Sequence, residues 1–231
     1  MIDIYSWPTP NGHKVHIMLE ETGLPYRVHA VNIRAGDQFK PEFLRISPNN
    51  RIPAIVDHDG LRGKPISLFE SGAILVYLAG KTGKLLPHDL HQRYAALQWL
   101  MWQMGGVGPM FGQANHFRAY SVEKISYAIE RYTNEANRLT NILDKRLGEA
   151  RYLAGGEYSI ADIAVFPWMR NADKRGINMA EYPYAQRWFG AINARPAVQR
   201  ALQVLSDVNN TAPHDEKSRD IMFGKTQFAR R

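Results

Sequence analysis

The 231-residue sequence contains no cysteine. That absence excludes a disulfide framework, a thiolate metal site and a protein thiol acting as nucleophile. Any sulfur chemistry must arrive with a ligand. Long apolar runs are missing too: the longest, residues 73–79, falls far below the ~20 residues a membrane-spanning helix needs. No membrane association is expected. Met1-Ile2-Asp3-Ile4-Tyr5 has no basic stretch followed by an apolar one and reads as an alternating strand. No signal peptide is therefore expected, and the cytoplasm is the simplest compartment. Internal repeats and low-complexity segments do not stand out, and no glycine-rich loop follows a strand as a phosphate cradle would. Gly105-Gly106-Val107-Gly108-Pro109 is expected instead to end a helix and open a substrate cleft. His13 and His16, and His88 and His91, have helical i,i+3 spacing, but no carboxylate accompanies either pair in a recognised ligand pattern. No metal is expected.

What is present is 45% hydrophobic and 11% aromatic, which can bury a real core, so disorder is not the expectation. The net charge of +7 raises the question of nucleic acid, because a basic face attracts phosphate backbones. Residues 1–80 hold eight acids and eight bases, the last 26 hold four and five, and the middle 125 carry ten against sixteen. The excess lies mainly in the middle, where its bases are dispersed and the aromatics fall at helical core spacing, not as a stacking platform. No nucleic-acid partner is expected.

The first ~80 residues alternate between short strand-like and helix-like runs, and the rest reads as helix after helix, an α/β unit followed by an all-α one. Strands are expected at 2–6, 26–32, 52–56 and 65–68. Pro8-Thr9-Pro10-Asn11-Gly12 should be a loop, with a helix starting near Gly12 and stopping at Thr22-Gly23. A long polar loop should run to Asn50, and residues 70–81 should form a helix with its stripe at Ile74, Leu75, Tyr77 and Leu78. Leu85-Leu86-Pro87 reads as the linker between domains at 1–84 and 88–205, with 206–231 a polar extension broken at Thr211-Ala212-Pro213 and packing late or loosely. Long helices are expected over 89–111 and 122–147, the second with apolar Ile125, Ile129, Tyr132, Ala136, Leu139 and Leu143. Ser159-Ile160-Ala161-Asp162 fits a capping box opening a helix to about residue 175, with helices at 182–195 and 197–205 to follow.

Arg51-Ile52-Pro53-Ala54-Ile55 followed by Leu68-Phe69-Glu70-Ser71-Gly72-Ala73-Ile74 resembles the glutathione-binding signature of glutathione transferases. Ser159-Ile160-Ala161-Asp162 lies where that family's helical domain carries its capping motif, and the resemblance runs over about residues 1–205. Pro8-Thr9-Pro10-Asn11-Gly12-His13-Lys14 and Ser47-Pro48-Asn49-Asn50-Arg51-Ile52-Pro53 are similar to the bacterial nu-class enzymes, which act as glutathione-dependent disulfide oxidoreductases. A fungal transferase-like regulator of nitrogen use is similar too. The resemblance implies a thioredoxin-like N-terminal domain, an all-helical C-terminal domain, glutathione as co-substrate and a homodimer.

Each position has its own physical logic. Glu70 can pair with the γ-glutamyl ammonium, while Ser71 and the free amides of its helix can hold the γ-glutamyl carboxylate; the alternative is a plain helix cap. A cis bond before Pro53 would turn the backbone of Ile52 outward to pair with the cysteinyl unit like an added strand; the alternative is an ordinary edge proline. Gln38 and Arg51 would reach the glycyl end or the γ-glutamyl group, or be solvated loop residues. A thiol of pKa near ~8.5 needs help to become the attacking thiolate. A helix N-terminus with Gly12 and Lys14 supplies positive potential, and a side-chain donor can bond the thiolate. Many transferases use a tyrosine or serine here, so Tyr5 and Ser6 are weighed, with Tyr5 expected to pack in its strand. The nu-class resemblance points instead to Thr9 and Asn11.

Without a protein cysteine, disulfide reduction must use glutathione alone, two molecules per site, one attacking and one resolving. The resemblance implies that Arg131 reaches the partner subunit's glutathione; the alternative is a surface arginine in a helical ion pair. Gln113, Asn115 and His116 could line the open end of the cleft. Three functions stay open on the sequence: a reductase of small disulfides and hydroperoxides that also conjugates electrophiles, a glutathione-binding regulatory module without turnover, and a charge-led nucleic-acid binder.

Overall fold

The computed structural model describes residues 1–208 and 214–228. The expected break at Thr211-Ala212-Pro213 lies outside them. Two compact units emerge: Met1–Tyr77 together with the described residues from Arg200 onward, and Leu78–Gln199.

In the first unit, β1 (Ile2–Ser6) is the inner strand of a four-stranded sheet with order β2-β1-β3-β4. It pairs parallel with β2 (Tyr26–Ala30) and antiparallel with β3 (Ala54–Asp57), which pairs antiparallel with β4 (Ile66–Phe69). A parallel neighbour requires a crossover, and α1 (Pro10–Thr22) supplies it. The sheet and its crossover are the thioredoxin-like arrangement the resemblance implied. α1 starts two residues earlier than expected. Pro10 occupies its first turn, where no N–H donor is needed, and Thr9 caps it from an extended backbone. Gly23 ends it at φ 72°, sending its N–H to the Leu19 carbonyl, as the Thr22-Gly23 stop implied. Val15, Ile17, Met18 and Leu19 are fully buried.

The expected polar loop before Asn50 is partly ordered: a 3-10 turn, Asp37–Phe39, precedes α2 (Pro41–Leu44). α3 (Ser71–Thr82) buries Ile74, Leu75 and Leu78, and half-buried Tyr77 donates its hydroxyl to Asp57 at 2.7 Å.

In the second unit, α4 (Leu90–Trp102) does not end at the glycine-rich stretch. The helical path continues as a π-helix, Gln103–Val107, straight into α5 (Gly108–Asn115), so the expected long helix over 89–111 is continuous and only the helix end at the glycines is corrected. Glycines without a Cβ fit the widened turn, and Gly108 N–H reaches back to the Gln103 carbonyl. α6 (Ser126–Glu149) buries Ala136, Leu139, Thr140, Leu143 and Leu147, the 3.6-residue stripe. Ile125, placed on that stripe by sequence, precedes the helix and is exposed.

α7 (Ile160–Met169) is buried on every side, and α4, α5 and α8 (Pro183–Asn193) pack against it. Its capping box is formed. Asp162 accepts from Ser159 N–H, Leu153 N–H and Trp188 Nε1 at 3.0, 3.0 and 2.8 Å. The helix ends at Met169, short of residue 175, because Asn171 turns left-handed (φ 54°). Arg175 then donates to the carbonyls of Arg170 and Asn171, closing the helix C-terminus. α9 (Pro196–Gln203) follows. The polar stretch after Ser206, expected to pack late or loosely, contains α10 (Glu216–Phe223), whose Ser218 and Ile221 are buried. Among the described residues no helix is long and apolar enough to cross a membrane.

Candidate active site

The N-terminus of α1 carries the first part of the site. Thr9 Oγ1 accepts the Gly12 N–H at 3.4 Å, leaving its own O–H to donate elsewhere. Asn11 is half-buried one residue into the first turn, among amides with no intrahelical partner. Gly12 is required there: a Cβ would lie 2.2 Å from the Trp7 carbonyl oxygen. The alternatives Tyr5 and Ser6 are committed to packing. Tyr5 stacks on His29 with centroids 4.6 Å apart, and Ser6 is fully buried with its hydroxyl donating to Trp7 O.

Lys14, one turn further along α1, is only 1% exposed. Its Nζ donates to Ser71 Oγ at 3.2 Å, across 57 residues of sequence. Burial pulls the Lys14 ammonium down to about 7, against the opposing attraction of Glu70. The neighbouring His16 is fully buried with neither ring nitrogen hydrogen-bonded, and burial, with the charge of His13 adding to it, pushes it down to about 3. It stays neutral at physiological pH. Among the described residues no group of three or more histidines and carboxylates is arranged to hold a metal.

Glu70 and Ser71 form the second part. Glu70 sits at φ 70°, an uncommon left-handed backbone for a residue with a side chain, and its carbonyl accepts the Ile74 N–H of the first turn of α3. The Glu70 carboxylate is exposed and oriented by Asn49 Nδ2 at 3.3 Å. Ser71 is buried at the opening of α3.

Pro53 forms the third part. The Ile52–Pro53 bond is cis. The sheet ladder begins only at Ala54, which pairs with Tyr5 and Phe69, so Ile52 lies outside it. Arg51 is exposed, and its carbonyl accepts from Ser47 Oγ at 2.7 Å. Gln38 is buried, with Nε2 donating to Ile33 O at 3.0 Å and Oε1 without a hydrogen-bond partner.

Eight of the nine residues singled out by sequence thus belong to the first unit. Arg131 belongs to the second, exposed on α6 and near Glu135 one turn on. Gln113 is exposed on α5, Asn115 ends that helix, and His116 begins a π-helical turn, its imidazole pushed down mainly by burial. Sequence reasoning gave Lys14 only a general electrostatic role and gave Asn49 none. The only available signal for burial was that Lys14 stands immediately before the apolar residues of α1, which begin at Val15.

The chain belongs to the glutathione S-transferase family: the models of the glutathione S-transferase N-terminal and C-terminal domains match residues 9–81 and 108–196. It is similar to the disulfide-bond oxidoreductase YfcG of Escherichia coli (strain K12), with 55% identity over 205 residues, 87% of this chain and 94% of that protein. Among solved structures it is similar to a glutathione transferase from Burkholderia graminis with two glutathione molecules bound per subunit. That likeness has TM-score 0.86 and 48% identity, covering 90% of this chain and 89% of that one. A glutathione transferase from Pseudomonas putida, solved with one glutathione disulfide per subunit, gives TM-score 0.84 and 48% identity, covering 88% and 91%.

Proposed function

We propose that this chain is a glutathione-dependent disulfide-bond oxidoreductase that uses no protein thiol. The observation carrying the reading is the Lys14–Ser71 bond, which ties the α1 N-terminus bearing Thr9 and Asn11 to the turn bearing Glu70 and Ser71. One tripeptide can then be held at its γ-glutamyl end and polarised at its sulfur by one rigid constellation. Glu70 pairs with the γ-glutamyl ammonium. Ser71 and the first amides of α3 take the α-carboxylate, with the Lys14 charge behind them. The Ile52 backbone, outside the ladder beside cis-Pro53, bonds the cysteinyl unit as an added strand would. Gln38 and Arg51 serve the glycyl carboxylate.

The Thr9 hydroxyl and the Asn11 amide donate to the sulfur, and the α1 N-terminus favours its negative form. The thiolate attacks one sulfur of a substrate disulfide and expels the other as a thiol after it takes up a proton. A second glutathione thiolate attacks the mixed disulfide, releasing the second substrate thiol and glutathione disulfide. Two electrons pass from two glutathiones to one disulfide. We infer a homodimer in the cytoplasm, where a reducing thiol pool would supply both glutathiones, with Arg131 of a second copy contributing to each site. The similarity to YfcG and to relatives solved with two glutathiones or with glutathione disulfide supports this reading.

The test is glutathione-dependent reduction of a small disulfide beside conjugation of an aryl halide, in wild type, Thr9→Ala and Asn11→Ala. Efficient disulfide reduction is expected in wild type, and its loss in both variants. Full activity in both variants would overturn the thiolate assignment. Glutathione binding without either reaction would leave a regulatory module as the function.

A further inference from the structure

The chemistry proposed above makes no use of the chain beyond the helical unit, and the match to the family's C-terminal domain ends at residue 196. That later chain is nevertheless built into the glutathione-binding unit. Asp215 caps α10, accepting the Ser218 N–H at 2.8 Å. Ile221 on that helix is 8% exposed, and it is buried against Gly36: a Cβ built there would lie 3.9 Å from Ile221 Cγ2 and 3.7 Å from Phe39 Cδ2. His214 and Asp215 lie within electrostatic reach of Arg34 in the same loop. In the 3-10 turn Lys225–Phe228, the Gln227 carbonyl accepts from Asn50 Nδ2 at 3.5 Å, while the Gln227 side-chain amide donates to the Ile221 carbonyl.

These contacts fall on two loops, residues 32–39 and 47–51. The first carries Gln38 and the second Arg51. The first loop's own bonds are short-range: Asn32 Oδ1 accepts from Arg34 and Ala35 N–H, and Asp37 Oδ2 accepts from Asn32 N–H. Such bonds shape a loop without anchoring it to a core, and segments of this kind open easily unless packed. A contact to a carboxylate loses most of its value when its donor shifts by about an ångström.

We propose that residues 215–228 brace the glycyl end of the glutathione site, with Ile221 and Asn50 as positioning residues that fix the loops carrying Gln38 and Arg51. The inference rests on the glutathione-binding reading above. It predicts that damage at Ile221, which packs on the loop of Gln38, is felt most by ligands that have a glycyl carboxylate.

The test is calorimetric titration of full-length wild type, Ile221→Val and Ile221→Ala with two ligands, glutathione and γ-glutamylcysteine, which lacks the glycine. Circular dichroism checks each variant's fold, and Ile221→Val carries the test if Ile221→Ala does not fold. The expected result is glutathione affinity weakened about tenfold in Ile221→Ala, the size of one charge-assisted contact, and less in Ile221→Val, with γ-glutamylcysteine within about twofold of wild type. Equal weakening of both ligands would mean general loosening and overturn the brace. No change would also overturn it, and so would tighter glutathione binding, the mark of a cover. A wild type that binds neither ligand would overturn the site reading itself.

Discussion

Replacing Lys14 by methionine tests the electrostatics of the site through stability alone. The folded chain holds the Lys14 ammonium down to about 7, against its ordinary 10.5. Between those values the unfolded chain binds one proton that the folded chain does not, so the stability contributed by this group rises with pH, by about 1.4 kcal/mol per unit. Integrated from about pH 7 to about pH 9, the gain is about 2 kcal/mol. Below about pH 6 both states hold the proton and the contribution is flat at its most unfavourable. The lost Lys14–Ser71 bond adds only a constant offset in the variant. Urea unfolding followed by tryptophan fluorescence, run on both proteins across this range, gives the difference directly. The wild type should gain on Lys14→Met by about 2 kcal/mol from neutral to alkaline pH and not at all in acid. A difference that does not vary with pH would refute the buried-lysine argument.

Glu70→Gln keeps the shape but removes the charge facing the γ-glutamyl ammonium, and calorimetry should show glutathione affinity reduced about tenfold or more. Thr9→Ala removes a helix cap as well as a donor, so it should cost about 1 kcal/mol in chemical denaturation, whereas Thr9→Ser should restore both stability and turnover. Asp162→Ala strands the buried donors of Trp188, Leu153 and Ser159 and should destabilise by about 3–5 kcal/mol in the same assay. Burial raises the Asp162 carboxyl above its ordinary value, opposed by the hydrogen bonds from Leu153 N–H, Trp188 Nε1, Ser159 N–H and the Ser159 hydroxyl. A group shifted upward contributes stability that fades as pH climbs through its folded value, so part of the Asp162→Ala deficit should shrink from acid toward neutral pH.

Much of the architecture was legible because local and global signals agree. Gly23 after Thr22 and Ser159 three residues before Asp162 are caps with a mechanism, and each caps where its chemistry says. The misplaced boundaries have equally physical causes. Two prolines around Thr9 read as a loop, yet a proline in a first helical turn sacrifices no bond. Glycines 105, 106 and 108 read as a stop, yet a π-helix accommodates the first two and α5 opens on the third. Asn171 turns left-handed two residues after the apolar run ends at Met169, and the helix-compatible Ala172-Asp173-Lys174-Arg175 stretch that follows hides the stop from periodicity.

At the site, the order of motifs was readable, but which side chains meet was not. Nothing local in Lys14 says that its amine is buried against Ser71, because that pairing joins a helix to a turn 57 residues away. The chain after Ser206 is polar in composition, and a single residue, Ile221, carries most of the information that it docks.

In the proposed chemistry the α1 N-terminus, through Thr9 and Asn11, holds the glutathione sulfur as a thiolate. The most direct measurement is the ultraviolet thiolate absorbance of enzyme-bound glutathione, titrated against pH in wild type and in Asn11→Ala. The bound thiol should titrate well below its free value of ~8.5 in wild type and move back toward that value in the variant. A bound thiol that titrates as it does free in solution would contradict it.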